Sequence, residues 1–372
     1  MKNVTGILFS SILGSSVREL TTHRCMGAVP VGGRYRLVDF LLSGFTQADI
    51  QDVGVVTQSN YQSLMDHLGN GKEWDLARKR SGLIILPPYG RTGGSGIYKG
   101  KIEAFAGIME YINNTDPEYV LAADCDFLAN IDYEDFYRSH IESGADISVI
   151  YKRSPVPVVE NGKVSTFQVD TKNRVTEVRI NPDLAGEQNV YINVMIISGK
   201  LLERIVSDLI SRNQYSFTQD VLQAGTNRYH INGYEFKGYV GRFDNLQSYY
   251  RTNMDLLDQA VRRELFPNDK PVFTKVRDEA PVRFGLSSRA GNSLLADGCV
   301  IEGAVENSVL FRGVKVAKGA RIRNCILMQG TVVGANCDLE YVISDKNVTV
   351  TDNRVLVGFE TYPVFLAKGA IV

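Results

Sequence analysis

From about residue 290 the chain keeps a six-residue beat, and few folds tolerate one. Every sixth position reads Leu310, Val316, Ile322 and Met328, and a second column runs Val314, Ala320, Ile326 and Val332. Gly313, Gly319 and Gly330 fall where short strands would have to turn. One hexad cannot bury its apolar side alone, but stacked copies can. A hexapeptide period with small apolar residues at fixed phase therefore specifies a parallel β-helix, three hexads to each triangular coil. A meander with coincidental spacing would not hold both columns in register this long.

The residues before about 260 obey a different rule. Gly6-Ile-Leu-Phe9, Val53-Gly-Val-Val56, Tyr119-Val-Leu-Ala-Ala123 and Ile147-Ser-Val-Ile-Tyr151 read as buried strands. Phe40 to Phe45, Ile102 to Tyr111 and Asn253 to Leu265 read as helices between or after them. Strands alternating with helices predict an α/β domain with a mostly parallel sheet covered on both faces. Ligands of such sheets sit at the carboxyl ends of the strands, so the loops after Phe9, Thr57 and Ala123 are where chemistry is expected. The proline-bearing stretch 266–292 reads as a linker between a first domain, 1–265, and the β-helix, 293–372.

Bulk properties exclude several classes. With 44% hydrophobic and 22% charged residues in 372, the chain can bury a sizeable core. A formal net charge of -1 gives no global field towards nucleic acid or an anionic membrane. The amino terminus shows no signal-peptide pattern, and its apolar run, broken by Gly6, Ser10 and Ser11, is too short to span a bilayer. The scattered Cys25, Cys125, Cys299, Cys325 and Cys337 have no zinc-ligand spacing and read as reduced thiols. A cytoplasmic protein is expected. The first strand is not followed by Gly-x-Gly-x-x-Gly, against a nicotinamide dehydrogenase. His23, His67, His140 and His230 all precede the repeats, against a hexapeptide acyltransferase with a catalytic histidine in its β-helix.

Several runs are specific. They are Gly32-Gly-Arg-Tyr-Arg-Leu-Val-Asp-Phe40, Gly54-Val-Val-Thr-Gln58 with Ser63-Leu64 and His67, Asn307-Ser-Val-Leu-Phe-Arg-Gly-Val314, and Ile343-Ser-Asp-Lys-Asn-Val348. On these runs the chain resembles, over essentially its whole length, the sugar-phosphate nucleotidyltransferases. Within them it resembles ADP-glucose pyrophosphorylase (glucose-1-phosphate adenylyltransferase). The resemblance implies a Rossmann-like nucleotidyltransferase domain followed by a left-handed parallel β-helix. It also implies transfer of AMP from ATP to glucose 1-phosphate with release of pyrophosphate, for glycogen synthesis.

The departures from that family point the other way. Its first loop, Gly-Gly-x-Gly-Thr-Arg-Leu, lets backbone N–H groups approach a triphosphate; here the run is Ser11-Ile12-Leu13-Gly14-Ser15-Ser16-Val17, with Ser16 at the arginine position. Met26 stands for a lysine, Asn181 for the sugar-phosphate lysine, and Arg242 for a magnesium-binding carboxylate. Tyr-Arg-Gly-Thr-Ala-Asp-Ala becomes Tyr98-Lys-Gly-Lys-Ile-Glu-Ala104. Asp126 matches the catalytic aspartate as a relic, and Gln58, Tyr98, Lys99 and Gly100 are the remaining candidates for ligand contact. Each lost electrostatic contact of this kind costs about 10²–10³ in rate.

The resemblance is to the D-type subunit that accompanies a catalytic subunit. It implies a regulatory chain that binds no metal or cofactor itself, Mg²⁺ and ATP being used by its homologous catalytic partner. It also implies a heterotetramer, a homodimer when that partner is absent, and a phosphorylated effector. The alternative is a self-sufficient nucleotidyltransferase in which Lys101 or Arg242 meets phosphate. Some residues admit plainer readings. Asp126 could cap a helix, Met26 could be core, and Gly32-Gly33 reads as turn geometry rather than ligand contact. Lys99 and Arg34 are either solvated charges or effector contacts, and Arg242 could pair with Asp126.

Overall fold

A computed structural model describes residues 1, 3–10, 17–79, 81–88, 98–158 and 164–372. The four runs read as strands are strands: Val4–Phe9, Asp52–Val56, Tyr119–Asp124 and Ile147–Pro155. Val4–Phe9 lies inside a nine-stranded sheet, parallel to Asp52–Val56 on one side and Tyr119–Asp124 on the other. Gly82–Leu86 extends the parallel part. Past Tyr119–Asp124 the direction reverses, because the long strand Glu187–Ser198 pairs antiparallel with it and with Ile147–Pro155. The hairpin Ser165–Val169 and Val175–Ile180 joins the same long strand.

Both faces of this sheet are dry, which is why its central strands read as unbroken apolar runs. Ile7 and Phe9 pack with Ile102 and Phe105 of the helix Lys101–Thr115 and with Leu202 of the helix Gly199–Ser211. Leu8 points to the other face, onto Val38 and Leu41 of the helix Leu37–Gln47 and Phe136 of the helix Tyr133–Ser143. The single helix expected over Asn253 to Leu265 is instead two, Leu246–Asp255 and Gln259–Leu265. Asp258 starts the second by accepting the Ala260 N–H at 2.8 Å, a polar cap that the apolar periodicity masked.

The repeats build three five-stranded parallel sheets, the sides of a left-handed β-helix. Its first strand, Arg283–Phe284, lies within the stretch read as linker. Stacked positions are mostly 17 residues apart, not 18, as Val309 over Ile326 shows, because one side of each coil is a residue short. The expected columns therefore slip. Leu310, Val316 and Ile322 point into the coil, and Leu327 rather than Met328 continues them. Val332, expected inside, is among the exposed apolar residues.

Met328 is buried for another reason. With Val309, Phe311, Ile326 and Ile343 it forms the outer face of one side of the prism, which packs on Leu37, Phe40, Phe243 and Tyr249 of the first domain. That side is apolar on both surfaces, so the six-residue beat seemed to continue through it. At the corners Gly319 and Gly330 have φ of 79° and 74°. A Cβ on Gly330 would stand 2.5 Å from Asn347 Oδ1 of the next coil.

Polar ties lock the junction. Arg24 and Asp345, both buried, form a two-pronged ion pair at 2.6 and 2.9 Å. Gly32 and Gly33, with φ of 60° and 83°, make a turn whose second residue faces Leu310 and Ala296 of the coil. The Gly32 N–H donates to Asn253 Oδ1 at 3.0 Å. The segment after Leu265 runs back along the first domain, with Lys270 on Asp132 and Gln47 on the Pro271 carbonyl.

Candidate functional site

The turn Asp124-Cys125-Asp126 follows the strand next to Val4–Phe9, at the carboxyl edge where the sheet topology expects a ligand. Two elements approach it. The helix Lys101–Thr115 brings Lys101, whose Nζ lies 5.6 Å from the Phe9 ring centroid and 3.0 Å from Asp124 Oδ1. The two-residue strand Gly241–Arg242 pairs with Phe127–Leu128, setting Arg242 opposite Phe127 and beside Asp126.

Arg242 does not form an ion pair with Asp126. Its Nε and Nη2 donate to both oxygens of Asp244 at 2.8 and 3.1 Å, two residues on, where the fork of a guanidinium matches a carboxylate. Asp126 Oδ2 instead accepts from Asn193 Nδ2 at 2.7 Å. Asn193 has φ of 59° and sits where the register of Glu187–Ser198 breaks, so a left-handed residue in a long strand aims this amide. Sequence reasoning missed it; a lone Asn within the apolar run Tyr191 to Ile197 is the signal available. Burial and the neighbouring Asp124 charge push the Asp126 carboxyl up to about 7, although Arg242 and Asn193 pull the other way. Asp124 is likewise raised by burial against the pull of Lys101. Asp132, not Asp126, is the helix cap, accepting the Glu134 and Asp135 N–H groups.

The other singled-out residues are dispersed. Ser11, Ile12, Gly14 and Ser16 lie outside the described residues. Met26 is buried among Val17, Leu20 and Val29 in the apolar cluster at the domain junction. Asn181 is exposed at the open end of the hairpin, where its N–H and side-chain oxygen pair with Val164. Tyr98 is buried against Gly107. Gly100 is demanded by a close approach, since a Cβ there would meet the Tyr215 carbonyl at 2.3 Å. Lys99 is exposed over the Tyr215 ring at 4.9 Å, and Gln58 is half-buried after Thr57 at the sheet edge. The N–H of Ile102, in the first turn of the helix after Gly100, is taken by the Tyr215 carbonyl at 3.0 Å.

A second site lies at the domain junction, a narrow cleft of about 40 Å³. Arg34 and Arg36 line it from the first domain, Lys275 and Arg277 from the connecting segment, and Arg312 and Lys346 from the coil; no acidic residue is among its described lining. Arg312, Gln329 and Lys346 stack before the corner of successive coils. Burial, reinforced by Arg36 and Arg24, pushes the Lys346 ammonium down to about 7 against the pull of Asp345. Burial and the charges of Arg24 and Arg277 lower Arg36 to about 10. The motif residues brace this cleft. Asp39 accepts from His67 Nε2 at 2.6 Å and from the Arg36 N–H at 2.9 Å, while the Arg36 guanidinium donates to Ser63 Oγ at 3.0 Å and to the Ser63 carbonyl. Of these cations the sequence pointed to Arg34 alone as an effector contact; Arg36, Arg312 and Lys346 stand in the specific runs, but nothing local showed that they share a cleft.

Among the described residues no helix is long and apolar enough to cross a membrane. The nucleotidyl transferase family matches residues 6–259, and a GlmU-like C-terminal hexapeptide family matches residues 280–362. The glycogen biosynthesis protein GlgD of Bacillus subtilis is 32% identical over 98% of this chain and 96% of its own. Glucose-1-phosphate adenylyltransferases of Bacillus cereus and Clostridium perfringens are each 30% identical, covering 92% and 89% of this chain and 92% and 85% of theirs. The chain belongs to the glucose-1-phosphate adenylyltransferase family of nucleotidyl transferases, and within it resembles the glycogen biosynthesis protein GlgD.

Proposed function

We propose that this chain is a non-catalytic, regulatory subunit of a glucose-1-phosphate adenylyltransferase, acting in glycogen synthesis on a homologous catalytic partner within a hetero-oligomer. The observation that carries this is Arg242, a guanidinium held beside Asp126 by Asp244 where the family's reaction implies a metal-binding carboxylate. Nucleotidyl transfer needs cations arranged around the phosphates, and a permanent positive charge at the metal's place opposes one of them. The self-sufficient reading requires Lys101 or Arg242 free to meet phosphate, yet each is paired with a carboxylate. The junction cleft supplies what a regulatory role needs, a cationic site suited to a phosphorylated metabolite between two domains.

The test is a pyrophosphorylase assay of the chain alone, of the catalytic partner alone, and of the two mixed. Regulation predicts no ADP-glucose formation by the chain alone and a changed rate or effector response in the mixture. A coupling of about 1–3 kcal/mol would appear as a shift of roughly 5–150-fold in affinity. Substantial turnover by the isolated chain, or an unaltered partner, rejects the reading.

A further inference from the structure

The family's reaction implies a divalent cation, and the oxygens available for it here are those of Asp124, Asp126 and Asp244. A small hard cation such as Mg²⁺ takes one or two carboxylates in near-octahedral geometry and keeps several waters. Each of the three carboxylates already has a protein group against at least one oxygen. Lys101 Nζ is on Asp124 Oδ1 at 3.0 Å, Asn193 Nδ2 on Asp126 Oδ2 at 2.7 Å, and the Arg242 fork on both oxygens of Asp244. Among the described residues no group of three or more His, Cys, Asp or Glu side chains is arranged to hold a metal ion. The residues present do not fit the ion.

We propose that Lys101 and Arg242 are built-in cations that hold this acidic turn in the divalent ion's stead, and that they keep the ion out. The inference rests on the non-catalytic reading and adds to it a cause that can be reversed. Both charges are delivered by the backbone. Lys101 is the first residue of a 15-residue helix, and Arg242 is in a strand paired to the residue after Asp126. Their side chains are only 12% and 20% exposed, so they are not surface charges that swing into water. An incoming cation would meet two fixed positive charges or have to break both pairs. Removing the charges leaves Asp124 and Asp244 without their paired cations and Asp126 without the nearby charge of Arg242, and such partly buried carboxylates either take up protons or recruit an ion.

The experiment is a Mn²⁺ titration of the full chain, read by electron paramagnetic resonance and by thermal melting, for the wild type and for Lys101→Thr/Arg242→Ser. The double variant is expected to bind Mn²⁺ at least about tenfold more tightly than the wild type and to melt higher in its presence, since the two positive charges paired with Asp124 and Asp244 are gone. Adding Asp126→Asn to the double variant should abolish the gain, which places the ion at this turn. Equal Mn²⁺ binding by wild type and double variant overturns the proposal, as does a folded double variant that binds none. If the double variant does not fold, the single variants Lys101→Gln and Arg242→Ser decide in the same way: tighter binding supports the proposal and unchanged binding overturns it. The regulatory reading fails separately. A wild-type chain that binds Mn²⁺ in this turn but forms no ADP-glucose sinks this inference alone, and turnover by the isolated chain sinks the functional reading.

Discussion

Two titrating groups pull the stability of the first domain in opposite directions with pH. His140 is buried against the Tyr119 ring with its Nδ1 on Ser148 Oγ at 2.7 Å, and burial depresses it to about 4. The unfolded chain takes up that proton near the ordinary histidine value of about 6.5. The stability His140 contributes is therefore present above that value and is lost as pH falls through about 4. Asp126 runs the other way. Its folded value is raised to about 7, so its contribution is full below the unfolded carboxylate range, about 3.9, and is lost as pH rises through 7. Melting curves across pH should show His140→Gln flattening the acid limb. Asp126→Asn should raise the melting temperature more at about pH 8 than at about pH 5. A uniform shift at every pH would mean that neither group titrates as its surroundings dictate.

At the scale of elements, the tie to watch is Arg24 with Asp345, which joins the segment after the first strand to a β-helix strand end across 321 residues of sequence. Both side chains are about 2% exposed, and Arg24 also donates to the Leu20 carbonyl. A buried pair adds little over a well-packed apolar pair, but removing one partner strands the other. Arg24→Ala is expected to destabilise the chain by about 3–5 kcal/mol, whereas Arg24→Met with Asp345→Leu should recover most of the loss. Urea unfolding of the three proteins measures this, and equal losses in the single and double variants would show that shape rather than charge holds the junction.

For the whole molecule the cationic cleft is the feature with consequences, because it is made by both domains and the segment between them. An anion there binds the folded chain and not the unfolded one, so it stabilises by mass action. Lys346 gains its proton as pH falls through about 7, which makes the cleft more positive on the acid side. Sulfate, whose own charge does not change in this range, should raise the melting temperature more at about pH 6 than at about pH 8.5. Sulfate also stabilises proteins generally by exclusion from their surfaces, so the reading is the difference between the wild type and Lys346→Ala or Arg312→Ala. If the variants respond like the wild type, the cleft is not an anion site.

The sequence by itself determined the elements and their order. Buried strands such as Val4–Phe9 are legible because both faces of a covered sheet demand apolar residues, and the β-helix because every coil repeats one burial problem. Motif residues Arg36, Asp39, Ser63 and His67 were legible as a set, and the structure brings them together in one network. Arg242 was legible as a charge in the wrong place. Its partner was not, because an ion pair is chosen by distances of a few ångströms that the local pattern does not encode. The tertiary structure gave it Asp244, gave Asp126 the amide of Asn193, and gave Asp124 the ammonium of Lys101. It also decided the 17-residue coil, where docking on the first domain buries Met328 from outside and so imitates the period of a core. The cleft is the clearest case. Its cations come from segments far apart in the sequence, and only the packing of the β-helix against the sheet domain makes them neighbours.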